Sequence, residues 1–259
     1  MNSRDINSIA LIITGCIQPN SNQILAIKDK DTRLMQYIDS IRFYIDDSLF
    51  TKIIFCDNSN CSDKSIICLK EYASDKKKIF EYLTFLGNEE IVLKYSNKGC
   101  GEDEIMEYIF SNSRLIKTVD SFFKVTGRLK LININEILSK SRIGKNYFLR
   151  DLYGGFHWLD TRFYILTKDY YIKNVNRCYD RVNDFSLPYE VVFFSLIKHY
   201  RGLAYYPLVK GISGGNNHVY DNDRGFLFYC CNALCRLGLY NRFFPFILLI
   251  KNGINKIMR

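Results

Sequence analysis

The chain has 259 residues, with 36 Lys and Arg against 27 Asp and Glu, a formal net charge of +9, and 47% hydrophobic residues. This is the composition of a folded globular protein and excludes a disordered or collagen-like chain. The longest strongly apolar run, residues 243–250, is too short to cross a bilayer, which takes about 20 helical residues; the N-terminal stretch reads as a first strand, not a secretory signal.

Residues 8–17 (SIALIITGCI) form a continuous apolar run, the pattern of a parallel strand buried on both faces. After a polar loop, apolar residues at 34, 37, 38, 41, 44 and 45 recur at helical spacing over 31–46, with Asp31 or Thr32 as the N-cap. A second apolar strand, TKIIFCDNSN, ends in Asp57-Asn58-Ser59. This β–loop–α–β order opens a nucleotide-binding α/β sheet. Segment 64–72 is ambiguous. The pattern then predicts a strand at 80–85 and a helix over 102–113, opened by Gly99 and Gly101 with three acids in its first turn. It predicts a strand pair, or one strand broken at Gly127, across 121–132, and a short helix at 134–140. Segments 146–152 and 158–166 are strand candidates, and 168–178 is helical. A helix at 188–200 has Pro188 in its first turn, and 203–208 is a strand. Residues 211–223 form a loop rich in Gly, Asn and Asp, and the chain is helical from 226.

Nine cysteines occur at irregular spacing with no CxxC pair, and three histidines are scattered at 157, 199 and 218. A zinc site needs paired ligands at short fixed spacing, so the cysteines read as free thiols of a reducing compartment. The charge is uneven. The last 59 residues carry eight Lys and Arg against Asp221 and Asp223 only, +6 of the +9. Such a tail points to a polyanionic partner, nucleic acid or an anionic membrane.

In open α/β sheets ligands bind beyond the carboxyl ends of the strands. That singles out Thr14, Gly15 and Cys16, set against the plain reading of a connecting loop. Asp57 either accepts hydrogen bonds from a ribose or base, or forms a turn with Asn58 and Ser59. Lys98-Gly99-Cys100-Gly101 precedes a helix, a ready seat for phosphate, although it fits neither a P-loop nor a dinucleotide fingerprint. Glu102, Asp103 and Glu104 would repel an anion there, which leaves Lys98 as the better contact. In Lys124-Val125-Thr126-Gly127-Arg128, polar and cationic groups interrupt an apolar strand. An Arg at such a strand end takes an anionic partner, a carboxylate or a substrate diphosphate. Glu190 opens an apolar helix, either as a general base with a raised pKa or as an acid that suits a helix start. Ser213, Gly214 and His218 lie in a glycine-rich segment that suits an acceptor- or phosphate-binding loop, or a merely exposed one.

The order of these motifs resembles a group of small bacterial glycosyltransferases that build capsule and lipopolysaccharide O-antigen chains. The resemblance spans roughly residues 8–220 and rests on TGCIQPN, DTRLMQYIDSIRFY, FCDNSN, NKGCGEDEIMEYIF, FFKVTGRLKLIN, LDTRFYIL, LPYEVVFFSLI and GISGGNNHVY. It implies an α/β fold of GT-A type: a Rossmann-type mixed sheet flanked by helices over 1–225, and a basic amphipathic helical extension over 226–259. It implies transfer of a sugar from a UDP-linked donor to a lipid-linked or oligosaccharide acceptor, in the cytoplasm at the inner face of the cytoplasmic membrane. Thr14, Gly15 and Asp57 would seat the base and ribose; Lys98, Thr126, Gly127 and Arg128 the diphosphate. Glu190 would take the acceptor proton with inversion, with Asp160 in LDTRFY as the rival base.

One departure matters. Many GT-A enzymes place Asp-x-Asp in the central strand to hold a divalent metal, and Thr126-Gly127-Arg128 stands in that place here. Asp29-Lys30-Asp31 and Asp221-Asn222-Asp223 fit the letters but lie elsewhere. The expectation is therefore no metal site and no cofactor, with Arg128 and Lys98 offsetting the diphosphate charge; Mn²⁺ or Mg²⁺ would lack its central ligand motif.

Two rivals stand beside this reading. A nucleic-acid-binding protein would explain the charge and the 15% aromatic content. But the aromatics sit in apolar runs such as 193–194 and 226–229, the pattern of a core, and no RNA- or DNA-binding signature occurs, so nucleic acid is not the expected partner. An inactive GT-A-like scaffold would explain the missing Asp-x-Asp. At the C-terminus, Leu237, Tyr240, Phe243, Phe244, Ile247, Leu248, Ile254 and Ile257 approximate a helical apolar face beside Arg236, Arg242, Lys251, Lys256 and Arg259. Such a face either lies on an anionic leaflet or docks on the domain.

Overall fold

A computed structural model of the chain describes residues 6–19, 27–152, 154–212, 219–221 and 225–257, with side chains to 252 in the last stretch. Strand β1 (Ile9–Gly15) is buried along its whole length, as an unbroken apolar run in a central parallel strand must be. Helix α1 (Lys30–Asp47) is capped by Asp29, not by Asp31 or Thr32: the Asp29 carboxylate accepts from the Thr32 amide at 2.7 Å. Leu34, Tyr37, Ile41, Tyr44 and Ile45 form its buried face. Strand β2 (Lys52–Asp57) lies parallel to β1, and β3 (Ile79–Thr84) parallel to β2. The ambiguous stretch between them holds two short helices, α2 (Lys64–Ile67) and α3 (Leu69–Asp75).

The chain then runs through α4 (Glu89–Tyr95) and α5 (Lys98–Asn112) to β4 (Ser121–Thr126), which pairs with the other side of β1. Past Gly127 the strand does not continue. Residues Leu129–Leu131 (β5) belong to a second sheet, so the segment holds two strands, one on either side of Gly127, that do not pair with each other. Helix α6 (Ile134–Lys140) follows, then strand β6 (Phe163–Thr167), which joins the main sheet antiparallel to β4. The main sheet thus runs β3-β2-β1-β4-β6, a Rossmann-like mixed α/β architecture. Because the chain leaves β1 on one side for β2 and β3 and returns on the other as β4, a crevice opens at the carboxyl ends of β1 and β4.

The later elements depart more from the pattern. The stretch 146–152 makes only isolated bridges, and 158–166 contracts to β6. The helical region splits into α7 (Lys168–Asn174) and α8 (Cys178–Val182). Pro188 is the N-cap of α9 (Tyr189–Leu196). The strand expected at 203–208 begins instead at Val209: β7 (Val209–Ile212) pairs with β5 and with β8 (Val219–Asp221). The described part of the segment read as a loop is therefore a β-ladder. Tyr44 fastens this sheet to α1, donating to the Leu129 carbonyl at 2.7 Å and accepting from the Leu131 amide at 3.0 Å.

Alternate residues of β1 feed two apolar layers. Ile9, Leu11 and Ile13 pack with α1 and α6, and Ala10 and Ile12 pack with α5 and α9. The C-terminal helices α10 (Phe226–Arg236) and α11 (Tyr240–Ile257) join the first layer through Cys231, Cys235, Tyr240, Phe244, Ile247 and Leu248. Half of the predicted C-terminal apolar face is thus docked on the domain. Against expectation, Phe226 (83% exposed) and Tyr229 (57%) are not core residues. Among the described residues no helix is long and apolar enough to cross a membrane.

Gly127 sits where β4 turns away from β1, its amide donating to the Thr14 carbonyl at 2.9 Å. A Cβ there would press on that carbonyl oxygen and lie 2.6 Å from the Tyr37 ring. Gly127→Ala is expected to destabilise the fold by about 1–3 kcal/mol, the usual cost of overpacking, read as a lower urea midpoint. An unchanged midpoint would show that this turn is not under steric constraint.

Candidate functional site

The crevice at the ends of β1 and β4 encloses about 770 Å³, within the range of small-molecule sites. Its walls bring together Thr14, Gly15, Lys98, Thr126, Arg128, Asp160 and Glu190, which the sequence scatters over 177 positions. Ser213, Gly214 and His218 lie outside the described residues.

Asp57 does not line the crevice. Its buried carboxylate accepts from the amides of Ile17 (2.7 Å), Ser59 (3.1 Å) and Cys61 (3.1 Å) and from the hydroxyls of Ser59 and Thr84. With five donors it ties the loops after β1 and β2 to the end of β3. The expected ribose contact is thus a brace for the wall, and the turn reading accounts for it.

Arg33 is the principal residue that sequence reasoning missed. It is buried on the inner face of α1, one helical turn before Tyr37. Its Nε donates to the carbonyls of Cys16 (3.0 Å) and Ile17 (3.2 Å), Nη1 to that of Ile27 (3.2 Å), and Nη2 to the Cys16 carbonyl. These acceptors are neutral, so they hold the loop without cancelling the charge. Arg128, also buried, donates to Gln36 Oε1 at 2.9 Å. Lys98 stands in the first turn of α5, where Asn97 caps the helix through the Gly99 amide at 2.9 Å. Among the described residues none of these three cations has an ion-pair partner. Burial lowers the Lys98 pKa, and the charges of Arg33 and Arg128 lower it further; burial also lowers that of Arg128, with Arg33 adding to the effect. Three unneutralised cations and a helix N-terminus therefore line the crevice, an arrangement that favours an anion.

The three acids after Gly101 do not oppose this. They lie beyond the first turn of α5, because the helix begins at Lys98 and not at Glu102. Glu102 is ion-paired to Lys124 (1% exposed) and accepts from the Thr14 hydroxyl at 2.9 Å. Asp103 is buried against the Tyr179 amide, and Glu104 accepts from the Asn88 amide at 2.9 Å. Lys124 also donates to the Thr161 carbonyl (2.8 Å) and the Thr126 hydroxyl (3.0 Å). The polar interruption in β4 is thus half explained by an internal ion pair, and only Arg128 is left facing the crevice uncompensated.

A second group in the crevice wall is acidic. Asp160 is gripped by Arg162, with Nε and Nη2 each donating at 2.8 Å, and Asp151 lies 3.7 Å from the same guanidinium. Burial disfavours the Arg162 charge, but these two carboxylates outweigh it and raise its pKa. Arg162 Nη1 also donates to the Tyr220 hydroxyl of β8 at 2.8 Å. Glu190 is different. Among the described residues it is the one crevice carboxylate without an ion pair; it accepts a long 3.4 Å bond from the Thr161 hydroxyl and one from its own backbone amide. Burial raises its pKa, and Asp151, Asp160 and Glu102 add to the effect. It is the member of this acidic group best suited to accept a proton. Beside it Trp158, also unforeseen as a site residue, forms part of the wall against Gly154 and Gly155.

All nine cysteines are free thiols, and burial pushes Cys16 in the crevice wall up to about 12, which keeps it protonated. No cluster of three or more metal-ligating side chains lies among the described residues. No protein-family model matches the chain, and no curated protein matches it.

Glu190 has a folded pKa above its unfolded value. Its titration therefore costs nothing below the ordinary Glu pKa of about 4.3, and stability is lost as the pH rises through the folded pKa. Glu190→Gln is expected to melt with wild type in acid and above it at neutral pH. A melting difference that does not change with pH would contradict the raised carboxyl.

Proposed function

We propose that the protein is a glycosyltransferase that moves a sugar from a nucleoside-diphosphate donor, UDP-linked in our reading, to a hydroxyl of an acceptor saccharide, with inversion. One observation carries this: a single crevice is lined both by cations without an ion-pair partner and by a carboxylate without one, among the described residues. Three cations free of carboxylates suit a diphosphate, and an acid free of cations suits an acceptor hydroxyl. The crevice also lies where a Rossmann-like sheet binds nucleotides.

The steps follow from those charges. The diphosphate rests against Lys98, Arg128 and the start of α5, with Arg33 adding to the field. The acceptor oxygen attacks the anomeric carbon while its proton passes to a Glu190 carboxylate oxygen. The bond from that carbon to the diphosphate oxygen breaks, and its electron pair leaves with the diphosphate. The cations stabilise the charge that develops there, the largest single contribution in many enzymes. Asp160 is less suited to the proton transfer, because its oxygens are engaged by Arg162. The cationic group does not suit a divalent metal, whose ligands are carboxylates and other oxygens. The bacterial surface-polysaccharide setting, a lipid-linked acceptor and a place at the inner face of the cytoplasmic membrane complete the proposal; they rest on the resemblance and on the basic C-terminus.

Thermal-shift screening against UDP-, GDP-, CMP- and dTDP-sugars is expected to single out UDP-sugars, since a saturating ligand raises the melting temperature by mass action. Glu190→Gln is expected to cut transfer by about 10²–10⁴, the usual worth of a general base, while donor binding is retained. Full turnover in that variant would remove Glu190 from the mechanism. A flat response to the whole panel would count against a nucleotide-sugar donor.

A further inference from the structure

Helix α11 carries an unbroken apolar run over residues 243–250. Tyr240, Phe244, Ile247 and Leu248 dock on the domain, while Phe243, Phe246 (63% exposed), Leu249 (59%) and Ile250 (60%) point away from it. Spacings of three, three and one residue put these four on a single face. The adjoining α10 repeats the arrangement: Cys231 and Cys235 are buried, while Phe226 and Leu237 (70%) are exposed. No described residue of the chain covers these outward faces. Large exposed apolar faces of this kind mark an interaction surface.

We infer that the outward face of α10 and α11 seats the protein on an anionic lipid leaflet. Charge decides the occupant. Residues 225–259 contain Arg236, Arg242, Lys251, Lys256 and Arg259 and not one Asp or Glu. Arg236 and Arg242 are exposed beside the apolar ridge. A second copy of this chain is the poorer occupant, because an isologous contact would set these cations against themselves. Nucleic acid would meet the cations but would leave Leu237, Leu249 and Ile250 unburied. An anionic leaflet meets both, since apolar burial and electrostatic attraction add at a membrane surface. The helix is not apolar enough to cross, so it lies in the interface. The face is not the one the sequence pattern suggests: Tyr240, Phe244, Ile247 and Leu248 of that face are turned inward, and the lipid-facing ridge is offset from them around the helix. The surface gives the lipid-linked acceptor of the proposed transfer its meeting place. It rests on that reading for its purpose only, because lipid binding and sugar transfer are measured separately.

The test is sedimentation of the full-length protein with vesicles of phosphatidylcholine alone and of phosphatidylcholine with phosphatidylglycerol. Binding is expected to the anionic vesicles only, and to weaken as salt is raised. The triple variant Phe246→Ser/Leu249→Ser/Ile250→Ser is expected to lose at least tenfold in partitioning with an unchanged melting temperature, since all three positions are exposed. Arg236→Gln and Arg242→Gln should each lose about fivefold, the worth of one cation near such a surface. Wild-type protein that stays in the supernatant with every vesicle overturns the inference. So does a triple variant that binds as wild type does. Sedimentation velocity showing a wild-type dimer that the triple variant dissolves, without vesicle binding, would also overturn it and assign the ridge to a second copy.

Discussion

The crevice depends on one buried carboxylate that never faces it. Asp57 gathers five donors from three segments that leave the sheet side by side: the loop after β1, the loop after β2, and the end of β3. A buried charge is tolerated only when it is well supplied with hydrogen bonds, and here the supply comes mainly from backbone amides. Those amides are thereby fixed. The β1 loop, held on one side by Asp57 and on the other by Arg33, presents Thr14, Gly15 and Cys16 as a rigid wall. Arg33 can anchor that loop through carbonyl oxygens because its charge is not consumed by an acid.

The charge of the crevice follows from which groups find partners and which do not. Lys124 and Glu102 neutralise each other beneath the floor, and Arg162 holds Asp160 and Asp151. These pairs are internal supports. Removing one partner of such a pair leaves a stranded charge and costs far more than the pair itself contributes. Lys98, Arg128 and Glu190 are left over; Lys98 keeps an exposed side, yet partial loss of solvent shifts the pKa of each. Perturbed groups in a cleft at a topological switch point are where chemistry is sought, and here groups of both signs line one cavity.

Much of the scaffold was legible because it follows simple periodicities. The unbroken run of β1, the helical spacing of α1 and the alternation of strand and helix as far as β4 required only burial of apolar side chains. Legibility failed where tertiary pairing overrides local pattern. Residues 203–208 have strand composition but irregular backbone, and the glycine-rich segment supplies strands because β5 offers it an edge at Val209–Ile212. The site was legible where a polar residue breaks an apolar run, as at Arg128, or follows a strand, as at Thr14. Arg33 was hidden within the apolar spacing of α1, although its place four residues before Tyr37 is a signal that could have been read. Asp57 was misassigned because a carboxylate at a strand end has the same sequence signature whether it faces a ligand or its own backbone.

In the proposed transfer, cations without a metal hold the diphosphate, Arg128 foremost. Calorimetric titration of UDP into the protein in the presence of EDTA tests it most directly, with Arg128→Met as the comparison. Saturable binding in EDTA is expected, weakened at least tenfold in the variant, a cost of about 1.4 kcal/mol or more. Binding that appears only when Mn²⁺ or Mg²⁺ is supplied, and that is indifferent to Arg128, would contradict it.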